Sequence, residues 1–505
     1  MILPNYDFGK TTFQDPIHGS INCGPIEKEI IDHPHFQRLH GLRQNSLLYL
    51  VFPAANHTRF DHSLGAMFLA DKFLDSIFRN QKVICEKVTT KNFPQEKYRI
   101  NDPTIKQIID VISDDSYFRL ITRVAALLHD TGHGPFSHLF ENFFPKGNFV
   151  FDLVSKEEKY SHLKEYFQSQ TKSALGKKVE HEVFSCLIAT KVIHDCRDII
   201  KKYKLDPSNL AEDVCSIIEE KIPCSDQLKG FRYKIQPLFH QIVSGIIDVD
   251  RMDYLLRDSH MCGVSYGKYE PIRILKSMCA YVDFEQKELR VAIRHSALDA
   301  LEDFLFSRYQ MNKQIYGHKT NRACSAMLEK IREHLKNCKW SWKKECATTD
   351  DLVENFTRLN DSLFVRQIRL FAKRRSSVPL KELIENLFVK RKLLKRVYEN
   401  IADKDDANFP KIEKKWERAK SILESNGIKV VVPDAYPNKG ENLGLACPLK
   451  VLKKSATGEY LVYSLNEFQS LAQKLPQKEV IFRIFCKSTK AQDAKLLLKD
   501  NKLVD

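Results

Sequence analysis

Ala125-Ala126-Leu127-Leu128-His129-Asp130-Thr131-Gly132-His133-Gly134-Pro135-Phe136-Ser137-His138 decides how this chain folds and what chemistry it can host. An apolar run ends in adjacent His and Asp, and a second and third His follow within nine residues. Successive helix positions lie about 100° apart around the axis, so His129 and Asp130 can both lean toward one ion at a helix end. One offers nitrogen and the other oxygen. Gly132, Gly134 and Pro135 then break the helix and turn His133 and His138 into a separate surface beside that ion.

Upstream, Asp15-Pro16-Ile17-His18-Gly19 reads as a turn. A helix is expected from about Ile26, carrying Ile30, Ile31, Phe36, Leu39 and Leu42 inward. Asn56-His57-Thr58-Arg59-Phe60-Asp61-His62-Ser63-Leu64-Gly65 leads into Ala66, Leu69, Phe73, Leu74 and Ile77 at helical spacing, so His62 opens a long amphipathic helix. By itself His62 is a polar end residue. The downstream His-Asp pair makes it a ligand candidate.

Between the two motifs, 81–115 reads as a polar loop with a short helix inside. Residues 143–178 form a charged insertion with aromatics, expected as a flap outside the core. His181-Glu182 starts another apolar-faced helix.

Ile246-Ile247-Asp248-Val249-Asp250-Arg251-Met252-Asp253-Tyr254-Leu255-Leu256-Arg257-Asp258 is the second informative stretch, with four acids in eleven residues of an apolar segment. Asp250, Asp253 and Asp258 cannot all face water on a helix packed by Ile246, Ile247, Val249 and Leu255. Buried carboxylates require paired charges or a metal. One of them, with Asp250 the first choice, would complete a set with His62, His129 and Asp130. Two imidazoles and two carboxylates suit Fe, Mn, Zn or Mg alike. The structural alternative is a helix face tied by Arg251 and Arg257.

The 505 residues suffice for two domains and a large core. The expected architecture is mainly α, with a helical core over 1–336. A basic helical segment and a smaller α+β lobe follow over 337–505, with strands at 428–433, 460–463 and 479–486 and a helix near 467–475. No apolar run reaches the ~18 residues of a membrane span. The 13 cysteines are scattered without Cys-x-x-Cys, which predicts reduced thiols in an intracellular protein (cytoplasm or nucleus). A net charge of +15 suits a polyanionic ligand as well as a merely basic surface.

The landmarks Asp15–Gly19, Arg59–Gly65, His129–His138, Asp248–Asp250 with Asp253-Tyr254, and Tyr316-Gly317-His318-Lys319 come in a family order. On them the chain resembles the HD-domain deoxynucleoside triphosphate triphosphohydrolases. The resemblance spans Asp15 to Lys319 and, more weakly, the C-terminal lobe. It implies a helical HD phosphohydrolase core, here expected without a preceding SAM domain.

It also implies roles. His62, His129, Asp130 and Asp250 would be metal ligands. His133 and His138 would face the α-phosphate, and His181 would be the general acid with Glu141 as its partner. Arg59, Arg251 and Arg308 would hold the triphosphate. Gln44 and Asp258 would contact the sugar 3′-hydroxyl. Tyr316 would stack on sugar or base, and Tyr254 belongs to the same substrate-binding set. The family assembles as dimers or tetramers, so a homodimer or homotetramer is expected.

Two departures bear on specificity. Asn45 stands where the vertebrate enzyme crowds the sugar 2′ position with Leu. In the family's activator pocket Asp32, Gln37 and Arg294 are kept, whereas Thr11, Gln14, His40 and Ser296 replace Lys, Asn, Arg and Lys. Two other functions compete with dNTP hydrolysis. One keeps the metal site but acts on another nucleotide, such as a ribonucleotide or a ppGpp-like ester. The other uses the basic C-terminal region to bind single-stranded nucleic acid.

Overall fold

The computed structural model describes residues 3, 6–87, 116–229, 233–283, 285–338, 340–342, 346–375, 377–432, 436–437, 449–456, 460–468 and 479–504. The expected turn at Asp15–Gly19 joins two strands, β1 (Thr11–Asp15) and β2 (Gly19–Cys23), paired antiparallel. The single helix expected from Ile26 is divided. A helix over Pro25–Asp32 stops at His33, whose extended backbone is what a following proline favours. Pro34 then begins a short turn of helix, Pro34–Gln37, and a 3₁₀ turn, Arg38–Gly41. Ile30, Ile31, Phe36, Leu39 and Leu42 are nevertheless all buried, as their spacing predicts.

Helix α1 (Arg59–Lys87) continues beyond Gln81, where the sequence reading placed a loop; 88–115 lie outside the described residues. Against α1 packs α2 (Ser116–Leu128), buried from Tyr117 almost throughout. Three further helices complete the core that positions the site: α3 (His181–Asp195), α4 (Pro207–Ile218) and α5 (Val249–Cys262). The 143–178 segment is not an excursion. Its helices Gly147–Val154 and Ser161–Gln168 bury Val150, Leu153, Val154, Leu163 and Phe167 in the main core. The apolar positions keep helical spacing among many charges, and that spacing outweighs the composition.

A hairpin forms from β3 (Met278–Asp283) and β4 (Glu288–Arg294), paired antiparallel. Helix α6 (Leu298–Gln310) widens into a π-helical turn, Met311–Tyr316, before α7 (Lys319–Asn337). Such turns often occur at functional sites, and this one ends on Tyr316. Helix α8 (Asp361–Arg374) follows.

The basic segment expected to be helical ahead of the 428–433 strand instead contains β5 (Lys395–Asp403) and only then α9 (Phe409–Ser425). Short strands β6 (Val430–Val431) and β7 (Tyr436–Pro437) come next, then β8 (Lys450–Lys454), β9 (Tyr460–Ser464) and β10 (Glu479–Cys486). Strand β10 pairs with β5, β6 and β7. With α9 and α10 (Ala491–Asp500), this sheet encloses a second core built on Tyr398, Leu423, Phe482 and Leu498. Strands β8 and β9 do not join it. They extend the hairpin in the order β3-β4-β8-β9, with β8 parallel to β4. Of the helix expected near 467–475, 469–475 lie outside the described residues. The architecture is mainly α with an α+β C-terminal region. Among the described residues no helix is long and apolar enough to cross a membrane.

One buried ion pair ties the N-terminal helix to α2. Arg123 donates to both carboxylate oxygens of Glu27 and to the carbonyl of Asn22, and both side chains are buried. Glu27→Ala leaves that buried guanidinium with Asp71, 3.4 Å away, as its remaining counter-charge and is expected to cost about 3 kcal/mol. Urea unfolding measures it, and a loss under about 1 kcal/mol would show that the pair is dispensable.

Candidate metal centre and active site

Three helix ends converge. His62 stands in the first turn of α1, His129 and Asp130 follow the last residue of α2, and Asp250 stands in the first turn of α5. His62 Nε2 is 3.1 Å from Asp250 Oδ1 and 3.7 Å from Asp130 Oδ2. His129 Nε2 is 3.7 Å from Asp250 Oδ1 and 3.6 Å from Asp130 Oδ1. The ligand atoms of His62, His129 and Asp250 all lie within 4.8 Å of one another.

Tautomers can be read from the opposite ring nitrogens. His62 Nδ1 donates to Asp253 Oδ2 at 2.7 Å, and His129 Nδ1 donates to the Ala126 carbonyl at 2.7 Å. Both Nε2 atoms are buried without a hydrogen-bond partner. In the neutral rings each therefore presents a lone pair to the carboxylates, the arrangement of metal-bound histidines. Burial opposes charge on His62, but the Asp250 and Asp253 carboxylates outweigh it and raise the ring to about 10. Burial likewise opposes charge on His129, and Asp130 and Asp250 raise it. Two carboxylates thus hold protons on two imidazoles, and a divalent cation answers the same negative charge when it replaces those protons. The donor set fits such an ion.

A second layer fixes the first. Asp253 receives His62, His18 Nε2 at 2.7 Å, and a two-pronged contact from Arg257 at 2.8 Å. Arg257 also reaches Asp15 Oδ2 at 2.7 Å, and Asp15 Oδ1 accepts the backbone N–H groups of Ile17 and His18. The Asp15–Gly19 motif is therefore a support for His62. Gly65 is required beside it, since a Cβ there would lie 1.9 Å from Asp253 Oδ1. Gly132 is equally constrained, with a Cβ 2.1 Å from the His181 carbonyl. That closeness lets Ser185 of α3 accept from Gly132 N–H and donate to the His129 carbonyl.

On the far side of Asp130, His133 Nε2 lies 3.3 Å from Asp130 Oδ1, and the His133 and His181 rings stack at 3.9 Å. His181 Nδ1 is 2.9 Å from Glu141 Oε1 and 3.2 Å from Glu182 Oε2. Burial and the charges of Arg59 and His181 push His133 well down, toward the neutral ring. Burial opposes charge on His181 as well, but Glu141 and Glu182 raise it. The two stacked imidazoles are thus driven in opposite directions, His133 toward the neutral and His181 toward the protonated ring. Glu182 was missed in the sequence, although it sits beside His181. The His138 backbone lies in the turn Ser137–Leu139, and its side chain lies outside the described residues.

The expected substrate residues are brought together in part. Arg59 contacts Asp130 and donates to Ser137 Oγ at 2.7 Å. Arg251 contacts Asp248 and the Gly245 carbonyl. Asp248 is itself raised to about 7 by burial, against the opposing Arg251 charge. Arg308 is buried. Tyr316 donates to Asp258 and meets Tyr254 edge-on at 6.3 Å. Asp258 also receives His57 Nε2 at 2.6 Å, a partner the sequence reading passed over. Gln44 lies beside His57, its N–H on the His57 carbonyl. Of the three activator candidates, Asp32 contacts Lys28 and Gln37 the Ile31 carbonyl within their own segment, whereas Arg294 reaches Asn80, 214 residues away on α1.

The helix ends thus bring His62, His129 and Asp250 close enough to hold a metal ion, with Asp130 beside them. Residues 59–258 match the HD domain, and residues 276–432 match the HD associated region. The chain belongs to the HD-domain phosphohydrolase family.

An uncharacterized protein of Methanocaldococcus jannaschii is 31% identical over 70% of this chain and 56% of its own length. The deoxynucleoside triphosphate triphosphohydrolase SAMHD1 of Homo sapiens is 29% identical over 70% of this chain and 49% of its own. The chain spans about half the length of these curated relatives. A hypothetical protein from Aquifex aeolicus, solved by crystallography, is similar with a TM-score of 0.61 at 25% identity, over 97% of this chain and 99% of that one.

Gly65→Ala must displace Asp253 and release the His62 ring. Metal affinity is expected to fall roughly 10–100-fold. Metal analysis after dialysis against a graded chelator reads it, and wild-type retention would remove the supporting role assigned to Asp253.

Proposed function

We propose that the chain hydrolyses deoxynucleoside triphosphates to deoxynucleoside and inorganic triphosphate. The observation that carries this reading is the His181–Glu141 pair beside a cluster of two imidazoles and two carboxylates, the two joined through His133 and Asp130. His62, His129, Asp130 and Asp250 would hold the ion. When bound, it supplies Lewis-acid polarisation of a phosphoryl oxygen and a lowered pKa for water.

The protein groups then have separable tasks. With Nδ1 engaged by Glu141, His181 donates its Nε2 proton to the leaving 5′-oxygen. His133, kept neutral, offers a hydrogen bond to the α-phosphate without adding charge. Arg251 and Arg308 turn toward the triphosphate, and guanidinium–phosphate bonds neutralise the charge that develops there. Likeness to an enzyme named for this reaction supports the substrate class.

Chromatography of products from all four dNTPs and all four NTPs tests the reading. Inorganic triphosphate and deoxynucleoside are expected, and release of monophosphate with pyrophosphate, or no turnover on any dNTP, would overturn it. His181→Ala is expected to keep its metal and lose roughly 10²–10⁴-fold in kcat. Metal loss in that variant would make His181 structural.

The pH profile carries a sign. Glu141 is among the groups that raise the His181 pKa, so the acid is lost only when pH rises through that elevated value. Glu141→Gln removes one cause of the elevation and should move the falling alkaline limb of kcat to lower pH. An unmoved limb would unseat Glu141 as the partner.

A further inference from the structure

Strand β10 reads Glu479-Val480-Ile481-Phe482-Arg483-Ile484-Phe485-Cys486, and every one of these residues is buried. Successive strand residues point to opposite faces. Val480, Phe482 and Ile484 fill the second core, together with α9 and α10. Glu479, Ile481 and Arg483 therefore line the other face, which puts two charged groups on an enclosed surface. A buried charge is costly unless it is paired and hydrogen-bonded, so the partners of these two must be close and fixed.

Both reach the same element. Glu479 Oε1 accepts from Lys313 Nζ at 3.3 Å, and Arg483 Nη1 donates to the Gly317 carbonyl. Lys313 lies inside the π-helical turn Met311–Tyr316, and Gly317 closes it. Carbonyls at the end of a helical turn lack internal partners, and an arginine can supply the missing donor. Arg483 is itself aimed from behind. Glu399 stands directly opposite it on β5 and accepts from its Nε.

The turn gripped in this way carries Tyr316 at its last position. The Tyr316 hydroxyl donates to Asp258, its ring meets Tyr254, and its carbonyl accepts from Asn321 Nδ2 at 3.0 Å. The next carbonyl along the chain is the one that Arg483 holds. A shift at that carbonyl rotates the end of the turn, and the Tyr316 ring moves with it.

We propose that Arg483 is a positioning residue of the active site: through its bond to Gly317, the C-terminal α+β lobe sets Tyr316, and with it the wall against which the nucleoside part of the substrate lies. The inference rests on the proposed function for its substrate class. Arg483 takes no part in bond breaking. Its effect passes through Tyr316, which separates it from a residue that only holds the lobe in place.

The experiment is a double-mutant cycle of Arg483→Ala and Tyr316→Ala on dATP hydrolysis, with metal content and Tm measured on each preparation. Hydrogen exchange of segment 311–318 is followed by mass spectrometry without nucleotide. In Arg483→Ala, kcat/KM is expected to fall roughly 10–100-fold, through KM more than kcat, with metal content unchanged. Exchange over 311–318 should quicken while 125–134 keeps its rate. In the Tyr316→Ala background the same substitution should change kcat/KM by less than about threefold, because coupled residues are not additive. Arg483→Lys keeps the charge but loses the fork that joins Glu399 to Gly317, so it should restore only part of the loss.

Multiplicative losses in the double variant, or unchanged exchange over 311–318, overturn the inference and leave the dNTP reading standing. A wild type that turns over no dNTP overturns that reading and this one together. Should Arg483→Ala fail to fold, Arg483→Lys takes its place in the cycle and the same outcomes decide.

Discussion

The carboxylate of Asp253 is the constraint on which the site depends. It is fully buried on α5 and receives His62, His18 and Arg257. Burial alone would favour its protonated form, but the Arg257 charge and the two histidine hydrogen bonds hold it well below the usual carboxylate range. A permanent negative charge there sets the His62 tautomer, and so aims Nε2 at Asp130 and Asp250. The same charge requires Arg257, which in turn requires Asp15. Three segments far apart in the chain, the Asp15–Gly19 turn, α1 and α5, are thereby tied to one carboxylate.

Buried arginines serve as fasteners throughout this core. Arg123 holds Glu27, Arg257 holds Asp253 and Asp15, and Arg59 holds Asp130. Arg38 is held differently: it donates to the carbonyls of Thr131, His133 and Leu359 and lies over the Phe356 ring. Burial lowers it to about 9. A planar fork of donors suits a loop whose carbonyls have no helical partners, and lysine would supply neither the geometry nor the stacking. Much of the chain's positive charge nonetheless remains outside, on the exposed face of α8 through Arg366, Arg369, Lys373 and Arg374.

How much of this was legible follows from the range of each interaction. His129-Asp130 and Asp250 could be read because the signal is local: an apolar helix that ends in ligating residues, or acids inside an apolar run. Helical spacing located the buried faces of α1 and α2 for the same reason. His18 and His57 were not legible as parts of the site, since their partners lie 235 and 201 residues away. Strand β5 was hidden because Lys395 and Arg396 continue a basic run that reads as a solvated helix, and only its pairing with β10 makes it a strand. The 147–168 helices were misread because charge density was weighed above the spacing of Val150, Leu153 and Val154. Pro34 was a local signal that should have divided the first helix.

The HD associated region completes the site geometry. Phe136 and Ser137 both adopt left-handed backbone, with φ of 60° and 59°, which side-chain-bearing residues hold only when surroundings demand it. The demand comes from α8: Asp361 Oδ1 accepts Phe136 N–H at 3.0 Å while Oδ2 accepts Arg43 N–H at 3.1 Å. One carboxylate thus joins the loop after His133 to the segment that carries Gln44 and Asn45. The Leu359 carbonyl takes Arg38, and Asp350 takes Lys159 and Tyr160 from the 143–178 segment. An HD core cut before residue 346 would keep its metal-ligand residues and lose the acceptors that hold the loop between them. The His133 side of the centre is therefore built by both halves of the chain.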